Sequence, residues 1–75
     1  MDTLIGSFSQ NELEEVRVHL RRWKGRDYVD IRAYAALKSG GEKIPTGKGL
    51  SIDIRQWEEF KKLVLEAENR SKHGV

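Results

Sequence analysis

Hydrophobic and polar residues alternate with a period of two over residues 16–20 and again over residues 29–35. Such alternation is typical of strands that bury one face. Lys24-Gly25 lies between the two runs, and Gly25 can adopt the positive φ that a two-residue hairpin turn requires. The pattern therefore predicts a β-hairpin turning at residues 24–25.

A two-residue turn at this point fixes which residues face each other, because the numbers of opposite residues must add to 49. Leu20 then lies opposite Val29, and Val18 lies opposite Ile31, so one face of the hairpin is continuously apolar. A slip of one residue would mix the two faces. The same register places the following residues on the opposite, polar face: Arg17, His19, Arg21, Trp23, Arg26, Tyr28, Asp30 and Arg32.

The second half of the chain predicts two more strands and a helix. Residues 43–46 are expected to form a short edge strand, since Pro45 cannot donate within a central ladder. Residues 47–49 form a bend, and residues 48–53 form a fourth strand. Asp53 and Gln56 have the spacing of a capping box for a helix over residues 54–69. Its apolar stripe comprises Trp57, Phe60, Leu63, Val64 and Ala67.

These elements predict an α+β fold in which a four-stranded antiparallel sheet precedes one C-terminal helix (ββββα), and the helix covers the apolar face. We expect a weakly ordered N-terminal arm over residues 1–13, with a capping-box match at residues 9–12. Residues 14–69 form the domain, and residues 70–75 form a flexible tail. A chain of 75 residues without cysteine has a thin core and no disulfide, so self-association is the usual alternative source of stability.

The net charge of +2 conceals an uneven distribution. Residues 1–15 carry four acids and no base, residues 16–50 carry nine bases and three acids, and residues 51–75 are balanced. A strongly basic block of this kind indicates a surface that binds a polyanion. The alternative is an ordinary solvated surface.

Exposed aromatic rings among the arginines and lysines favour single-stranded nucleic acid. Unpaired nucleobases can stack on these rings, and the basic side chains neutralise the phosphates. Alternatively, Trp23 packs on the stem of Arg26, and the tyrosines are ordinary strand residues. Asp30 is expected to be structural, paired with His19 or an arginine. The candidate nucleic-acid-binding residues are Arg17, Arg21, Trp23, Lys24, Arg26, Tyr28, Arg32, Tyr34 and Lys43.

Other chemistry finds little support in the sequence. The segment GEKIPTGKG lacks the spacing and the hydroxyl of a phosphate-binding loop, and no nucleophile or carboxylate pair has catalytic spacing. We therefore expect no enzyme activity, no cofactor and no metal site. No apolar run approaches the roughly 20 residues of a membrane span, and residues 1–8 show no secretory signal, so we expect an intracellular protein.

Four motifs in order resemble the C-terminal domain of the positive cofactor four family of transcriptional coactivators. They are Trp23-Lys24-Gly25, Asp30-Ile31-Arg32-Ala33-Tyr34, the segment Pro45 to Ser51, and Gln56-Trp57. The resemblance spans about residues 16–68. It implies a dimer whose curved sheets bind single-stranded or melted DNA, and it adds Lys48 to the candidate residues.

Two departures from the family pattern are visible. Ala35 stands where eukaryotic members carry a second stacking tryptophan, and Gly47 replaces a basic residue. The resemblance therefore implies weaker binding or a different base path, in which Tyr28 or Tyr34 compensates, and the short chain is similar to the bacterial members.

The sequence thus predicts a homodimeric protein that binds single-stranded DNA with little sequence preference. Its role would be that of a transcriptional coactivator-like regulator or genome-maintenance factor, and the transcription machinery is a further expected partner. The location would be the cytoplasm or nucleoid in a bacterium and the nucleus in a eukaryote. Two alternatives stay open, namely an RNA-binding module and a protein–protein adaptor that docks an acidic partner.

Overall fold

The computed structural model describes residues 2–73, so Met1 of the predicted arm and residues 74–75 of the predicted tail lie outside it. Its strands are β1 (Asp2–Ser9), β2 (Glu14–Trp23), β3 (Arg26–Ala35) and β4 (Ile44–Asp53). They form one antiparallel sheet in the order β1-β2-β3-β4. A 3₁₀ turn (Ile54–Gln56) leads into the helix α1 (Trp57–Lys72). The predicted fold class, an antiparallel four-stranded sheet followed by one helix, is confirmed.

The hairpin of β2 and β3 has the register that the alternation predicted, from Glu14 opposite Ala35 to Trp23 opposite Arg26. Its turn has positive φ at both central residues, 50° at Lys24 and 75° at Gly25. Positive φ at both positions is the geometry of a type I′ turn, whose twist matches that of the flanking strands. The turn therefore fixes which side chains share each face of the sheet.

The first strand comes from the segment for which the sequence pattern predicted no element. Asp2–Ser9 pairs with β2, and the register shifts between Leu4 and Gly6. A tight turn follows in place of the predicted helical turn: the Asn11 side-chain oxygen accepts hydrogen bonds from the backbone N–H groups of Leu13 and Glu14, both at 2.9 Å. Asparagine thus forms an Asx-turn here, and no helix begins at residues 9–12.

The predicted strands over residues 43–46 and 48–53 are one continuous strand, β4. The register shifts between Arg32 and Tyr34 of β3, so three residues of β4, residues 46–48, lie where β3 has one. The Thr46 hydroxyl satisfies two backbone groups of this bulge. It donates to the Ala33 carbonyl at 2.9 Å and accepts from the Lys48 N–H at 3.1 Å. The expected bend is therefore a β-bulge, which redirects side chains while the pairing continues.

The helix begins later and ends later than the sequence predicted. The Asp53 carboxylate accepts from the Arg55 backbone N–H at 2.9 Å and so caps the 3₁₀ turn, whereas Gln56 makes no side-chain capping bond. The helix continues through Lys72, into the segment expected to be a flexible tail. Within residues 2–73, no helix combines the length and apolarity needed to cross a membrane.

The expectation that α1 covers the apolar face of its own sheet is wrong for this protomer. No residue of α1 is buried, and Leu63 on its apolar stripe is 70% exposed. The apolar face of the sheet also stays partly open, with Leu20 and Leu50 exposed. Two apolar surfaces of one chain therefore lack a cover.

Candidate nucleic-acid interface

The polar face of the sheet carries the candidate residues, and its hairpin end is open. Trp23 is 62% exposed there, and the Lys24 ammonium lies 4.6 Å from the centroid of its ring. Arg26 and Tyr28 line a pocket together with these two residues. A second cleft of about 440 Å³ lies alongside, lined in part by Arg21, Trp23 and Tyr28. The hairpin end thus combines an accessible ring with three nearby cations.

The centre of the polar face is a buried charge network around Asp30, which is 1% exposed. Arg32 donates two hydrogen bonds to its carboxylate at 3.1 and 3.3 Å, Ser51 donates one at 2.6 Å, and Arg21 lies 3.7 Å away. Burial raises the pKa of Asp30, but the bonds from Arg32 and Ser51 outweigh it, and the pKa is lowered. Asp30 is therefore an ionised anchor for two arginines, as the structural interpretation of this residue predicted.

Tyr34 lies on the polar face, but its ring is not accessible. It is 6% exposed, the Arg17 guanidinium lies 4.3 Å from its centroid, and the His19 ring lies 5.8 Å away. Its hydroxyl accepts from Arg21 at 3.3 Å. A cation over one ring face and a packed neighbour leave no room for a base, so we assign Tyr34 the role of holding Arg17 and Arg21 in place.

At the end of the sheet opposite the hairpin turn, candidate bases pair with two glutamates, Glu15 on the polar face and Glu14, opposite Ala35, on the apolar face. Lys48 donates to Glu14 at 3.0 Å, Arg17 donates to Glu15, and Lys43 lies 3.5 Å from Glu15. Hydrogen bonds from Lys48 and Arg17 lower the pKa of Glu14 and of Glu15, respectively. Both carboxylates are therefore held in the ionised form against the bases.

Sequence reasoning did not assign these glutamates to the site, although the signal was present. Extending the hairpin register by two residues beyond Arg17 places Glu15 opposite Tyr34, on the face that carries Arg17 and Arg32. Asp2 was missed for a different reason, since no strand was predicted there; in the structure it forms an ion pair with Arg21. The Thr46 carbonyl, which accepts from Arg32 at 3.0 Å, had no sequence signal because it depends on the bulge.

The chemistry that this face offers is stacking and anion binding. Within residues 2–73, no cluster of three or more histidine or carboxylate side chains is placed to hold a metal ion. The hairpin end presents one ring and several donors, while the centre presents arginines already oriented by Asp30. Guanidinium groups of this kind match the geometry of phosphate oxygens.

Sequence comparison places these features in a family. The profile of the family described as Transcriptional Coactivator p15 (PC4) matches residues 11–63. This range contains the hairpin, the bulge, the 3₁₀ turn and the first half of α1. The candidate site lies within the matched range, apart from Asp2.

Three curated relatives are similar over most of this chain. The RNA polymerase II transcriptional coactivator KELP of Arabidopsis thaliana is 41% identical over 56 residues, which are 75% of this chain and 33% of the relative. The RNA polymerase II transcriptional coactivator KIWI, also of Arabidopsis thaliana, is 32% identical over 56 residues, which are 75% of this chain and 47% of the relative. A putative RNA polymerase II transcriptional coactivator of Caenorhabditis elegans is 33% identical over 49 residues, which are 65% of this chain and 40% of the relative. The chain thus spans a third to about half the length of these relatives.

Solved structures show the same architecture. A PC4 homologue of Burkholderia pseudomallei in a tetragonal crystal form superposes with a TM-score of 0.79 at 25% identity, covering 91% of this chain and 98% of the other. Its orthorhombic form gives a TM-score of 0.75 at 26% identity, with 88% of each chain covered.

Proposed function

The chain belongs to the transcriptional coactivator p15 (PC4) family, and from this premise we propose that it binds single-stranded DNA through the polar face of its sheet. The observation that carries the proposal is the hairpin end, where Trp23 is 62% exposed beside Lys24 and Arg26. An accessible ring beside cations is the combination with which single-strand binders stack bases and hold phosphates. We further propose that binding shows little sequence preference and serves transcription or genome maintenance.

Stacking explains why the strand should be single. The bases of a duplex already stack on each other, and their faces are closed to Trp23. An unpaired base offers its face to the indole, and each such contact contributes roughly 1–3 kcal/mol. Because every base has such a face, stacking on Trp23 tolerates any sequence.

Phosphate contacts supply the remaining affinity. Lys24 lies at the turn, Arg26 is 57% exposed at its side chain, and Arg21 and Arg32 are oriented by Asp30. Lys24 and Arg26 can follow the backbone of a strand whose base lies on Trp23. These contacts release counterions, so the affinity should fall steeply with salt.

We also propose that the functional form is a homodimer. The apolar face of the sheet and the apolar stripe of α1 are both uncovered in the protomer, and patches of this kind mark association surfaces. A second copy of the chain offers the complementary surfaces, α1 for the sheet and the sheet for α1. Pairing would also enlarge the thin core of a 75-residue chain.

A competition experiment tests the proposed ligand. A labelled single-stranded DNA is bound to the protein at low salt and displaced by unlabelled DNA or RNA of matched sequence. We expect DNA to compete at least as well as RNA, and two unrelated DNA sequences to compete within a few-fold of each other. Displacement only by RNA would replace the proposal with an RNA-binding function, and no binding of either polymer would favour a protein ligand.

A further inference from the structure

The cleft beside Trp23 contains a carboxylate that neither the proposed stacking nor the proposed phosphate contacts use. The cleft has a volume of about 440 Å³ and is lined by Asp2, Arg21, Arg22, Trp23, Tyr28 and Ser51. We propose that Asp2 is a specificity-determining residue: it accepts a hydrogen bond from the amino group of the base stacked on Trp23, and so favours cytosine and adenine over thymine. The inference rests on the proposed function, to which it adds a modest base preference.

The register of the sheet places Asp2 within reach of such a base. Asp2 lies opposite Arg21 on the polar face, and Trp23 is two residues further along β2, on the same face. Asp2 and Trp23 are therefore diagonal neighbours on adjacent strands, a separation of roughly 7–8 Å that an aromatic ring can bridge. A base that rests on the indole and enters the cleft thus turns one edge toward the carboxylate.

Arg21 holds this carboxylate in position. One terminal nitrogen of its guanidinium donates to Oδ2 of Asp2. The other donates to the Tyr34 hydroxyl at 3.3 Å and lies 3.7 Å from Asp30. Tyr34 and Asp30 are both buried, so Arg21 is anchored to the interior of the sheet and fixes a side chain on the edge strand.

The Asp2 carboxylate keeps the capacity to bind a further donor. Its side chain is 51% exposed, and an ionised carboxylate offers about four acceptor positions, of which the bond from Arg21 uses one. Arg21 likewise has N–H donors beyond those that bind Asp2 and Tyr34. The pair therefore presents acceptor positions next to donors at the wall of the cleft.

This arrangement distinguishes the bases by their edges. Cytosine and adenine each carry an amino group beside a ring nitrogen that accepts hydrogen bonds. The amino group can donate to Asp2 while the ring nitrogen accepts from Arg21, and carboxylates recognise the cytosine amino group in this way. Thymine has a carbonyl oxygen in place of the amino group. That oxygen would face the carboxylate with no hydrogen between them, which disfavours thymine in the cleft.

The test compares an oligodeoxycytidylate with an oligothymidylate, each of about 8 nucleotides, within the range of site sizes typical of single-strand binders. The two bases have rings of the same size, and slightly alkaline pH keeps cytosine neutral. Fluorescence anisotropy gives the affinity of each oligonucleotide for wild type and for Asp2→Asn. The asparagine keeps the shape of the side chain, but its amide can donate to thymine as well as accept from cytosine.

The matched control is Glu12→Gln. Glu12 is exposed in the turn between β1 and β2, at the opposite end of β2 from Trp23. Its replacement therefore changes the net charge by the same amount without touching the cleft. Both variants remove a negative charge and should bind either oligonucleotide somewhat more tightly, so the ratio of the two affinities is the measurement.

Wild type should bind the oligodeoxycytidylate about fivefold more tightly than the oligothymidylate, at the low end of the discrimination that one good base contact provides. Asp2→Asn should reduce the ratio to about twofold or less. The control should keep the wild-type ratio.

Three results would overturn the inference. Equal affinity of wild type for the two oligonucleotides would show that the cleft does not read the base, and an unchanged ratio in Asp2→Asn would take Asp2 out of the recognition. An equal loss of the ratio in Glu12→Gln would assign the effect to net charge. If wild type binds neither oligonucleotide, the proposed function itself fails, whereas equal binding of both removes only the base preference.

Discussion

At the level of single residues, two side chains allow direct tests, one of DNA binding and one of stability. Trp23 is the exposed ring on which the proposed stacking depends. Asp53 caps the 3₁₀ turn that precedes α1, and its carboxylate accepts hydrogen bonds from the backbone and the side chain of Arg55. The first concerns ligand binding, and the second concerns stability.

Replacing Trp23 should weaken DNA binding without unfolding the protein. The side chain is mostly exposed and adds little to the core, so Trp23→Ala should leave the circular dichroism spectrum and the melting temperature close to wild type. We expect affinity for single-stranded DNA to fall about 5- to 100-fold, the equivalent of one lost stacking contact. Trp23→Phe should recover part of the loss. Unchanged affinity for Trp23→Ala in a fluorescence-anisotropy titration would take Trp23 out of the interface.

Asp53 should make the stability depend on acid pH. Hydrogen bonds from the Arg55 side chain and backbone lower its pKa from 3.8 to about 2. A carboxylate with a lowered pKa in the folded state stabilises the protein above its unfolded pKa and loses this contribution as pH falls toward the folded value. The stability advantage of wild type over Asp53→Asn should thus be full above pH 3.8 and shrink toward about pH 2.

Urea denaturation of both proteins across this pH range measures the difference directly. Asparagine keeps an oxygen for capping, so the comparison isolates the charge. A difference in the free energy of unfolding that stays constant across the range would show that Asp53 is not held by Arg55.

At the scale of elements, the β4 bulge matters most, because it brings Lys48 to Glu14 and the Thr46 carbonyl to Arg32. Gly49 lies at its edge, opposite Arg32. A Cβ at this position would lie 2.6 Å from the Ile31 carbonyl oxygen and 2.8 Å from the Arg32 Cα. Both are backbone atoms, which cannot move aside without disturbing the β3–β4 pairing.

Gly49→Ala should therefore destabilise the fold by about 1–3 kcal/mol, the usual range for an added methyl group that forces a backbone shift. Gly47→Ala is the matched control, since a Cβ there meets nothing within 4 Å, and its effect should stay within about 0.5 kcal/mol. Chemical denaturation of the two variants provides the comparison. Equal stabilities would mean that β3 and β4 do not approach each other as closely as the structure has them.

The elements also show why the sequence predicted some features and not others. The β2–β3 register followed from alternation and one turn, because a one-residue slip would have buried charges. The first strand was not predictable in this way, since Leu4, Ile5 and Phe8 are interrupted by a bulge and remain exposed. The β4 bulge depends on the Thr46 hydroxyl bonding across to Ala33, a long-range contact without local signal. Glu15 follows from the register, which places it opposite Tyr34 on the polar face, although no motif of basic residues marks it.

At the scale of the whole molecule, the uncovered apolar surfaces call for a second copy. The sequence predicted an amphipathic helix and an apolar sheet face correctly, but not that they would be apart in one protomer. Periodicity shows which side of a helix is apolar, but it does not show what that side packs against. The proposed dimer accounts for both surfaces at once.

Leu63→Asp should break the proposed dimer. Leu63 lies on the apolar stripe of α1 and is 70% exposed in the protomer, so a charge there harms only an assembly that buries it. We expect the dimer dissociation constant to rise at least about a hundredfold, as for an unpaired charge placed in an interface. Leu65→Asp is the control, because Leu65 is also exposed but lies off the stripe. A wild-type chain that sediments as a monomer at micromolar concentration would contradict the dimer.

If the open hairpin end binds single-stranded DNA by stacking, the fluorescence of Trp23 should report the binding. The chain has two tryptophans, so Trp57→Phe leaves Trp23 as the single reporter. Titration with single-stranded DNA at low salt should quench this signal with at least about tenfold higher affinity than the matched duplex, because only the single strand can give up a base to the ring. Equal quenching and equal affinity for both forms would show that the hairpin end does not bind by stacking on an unpaired base.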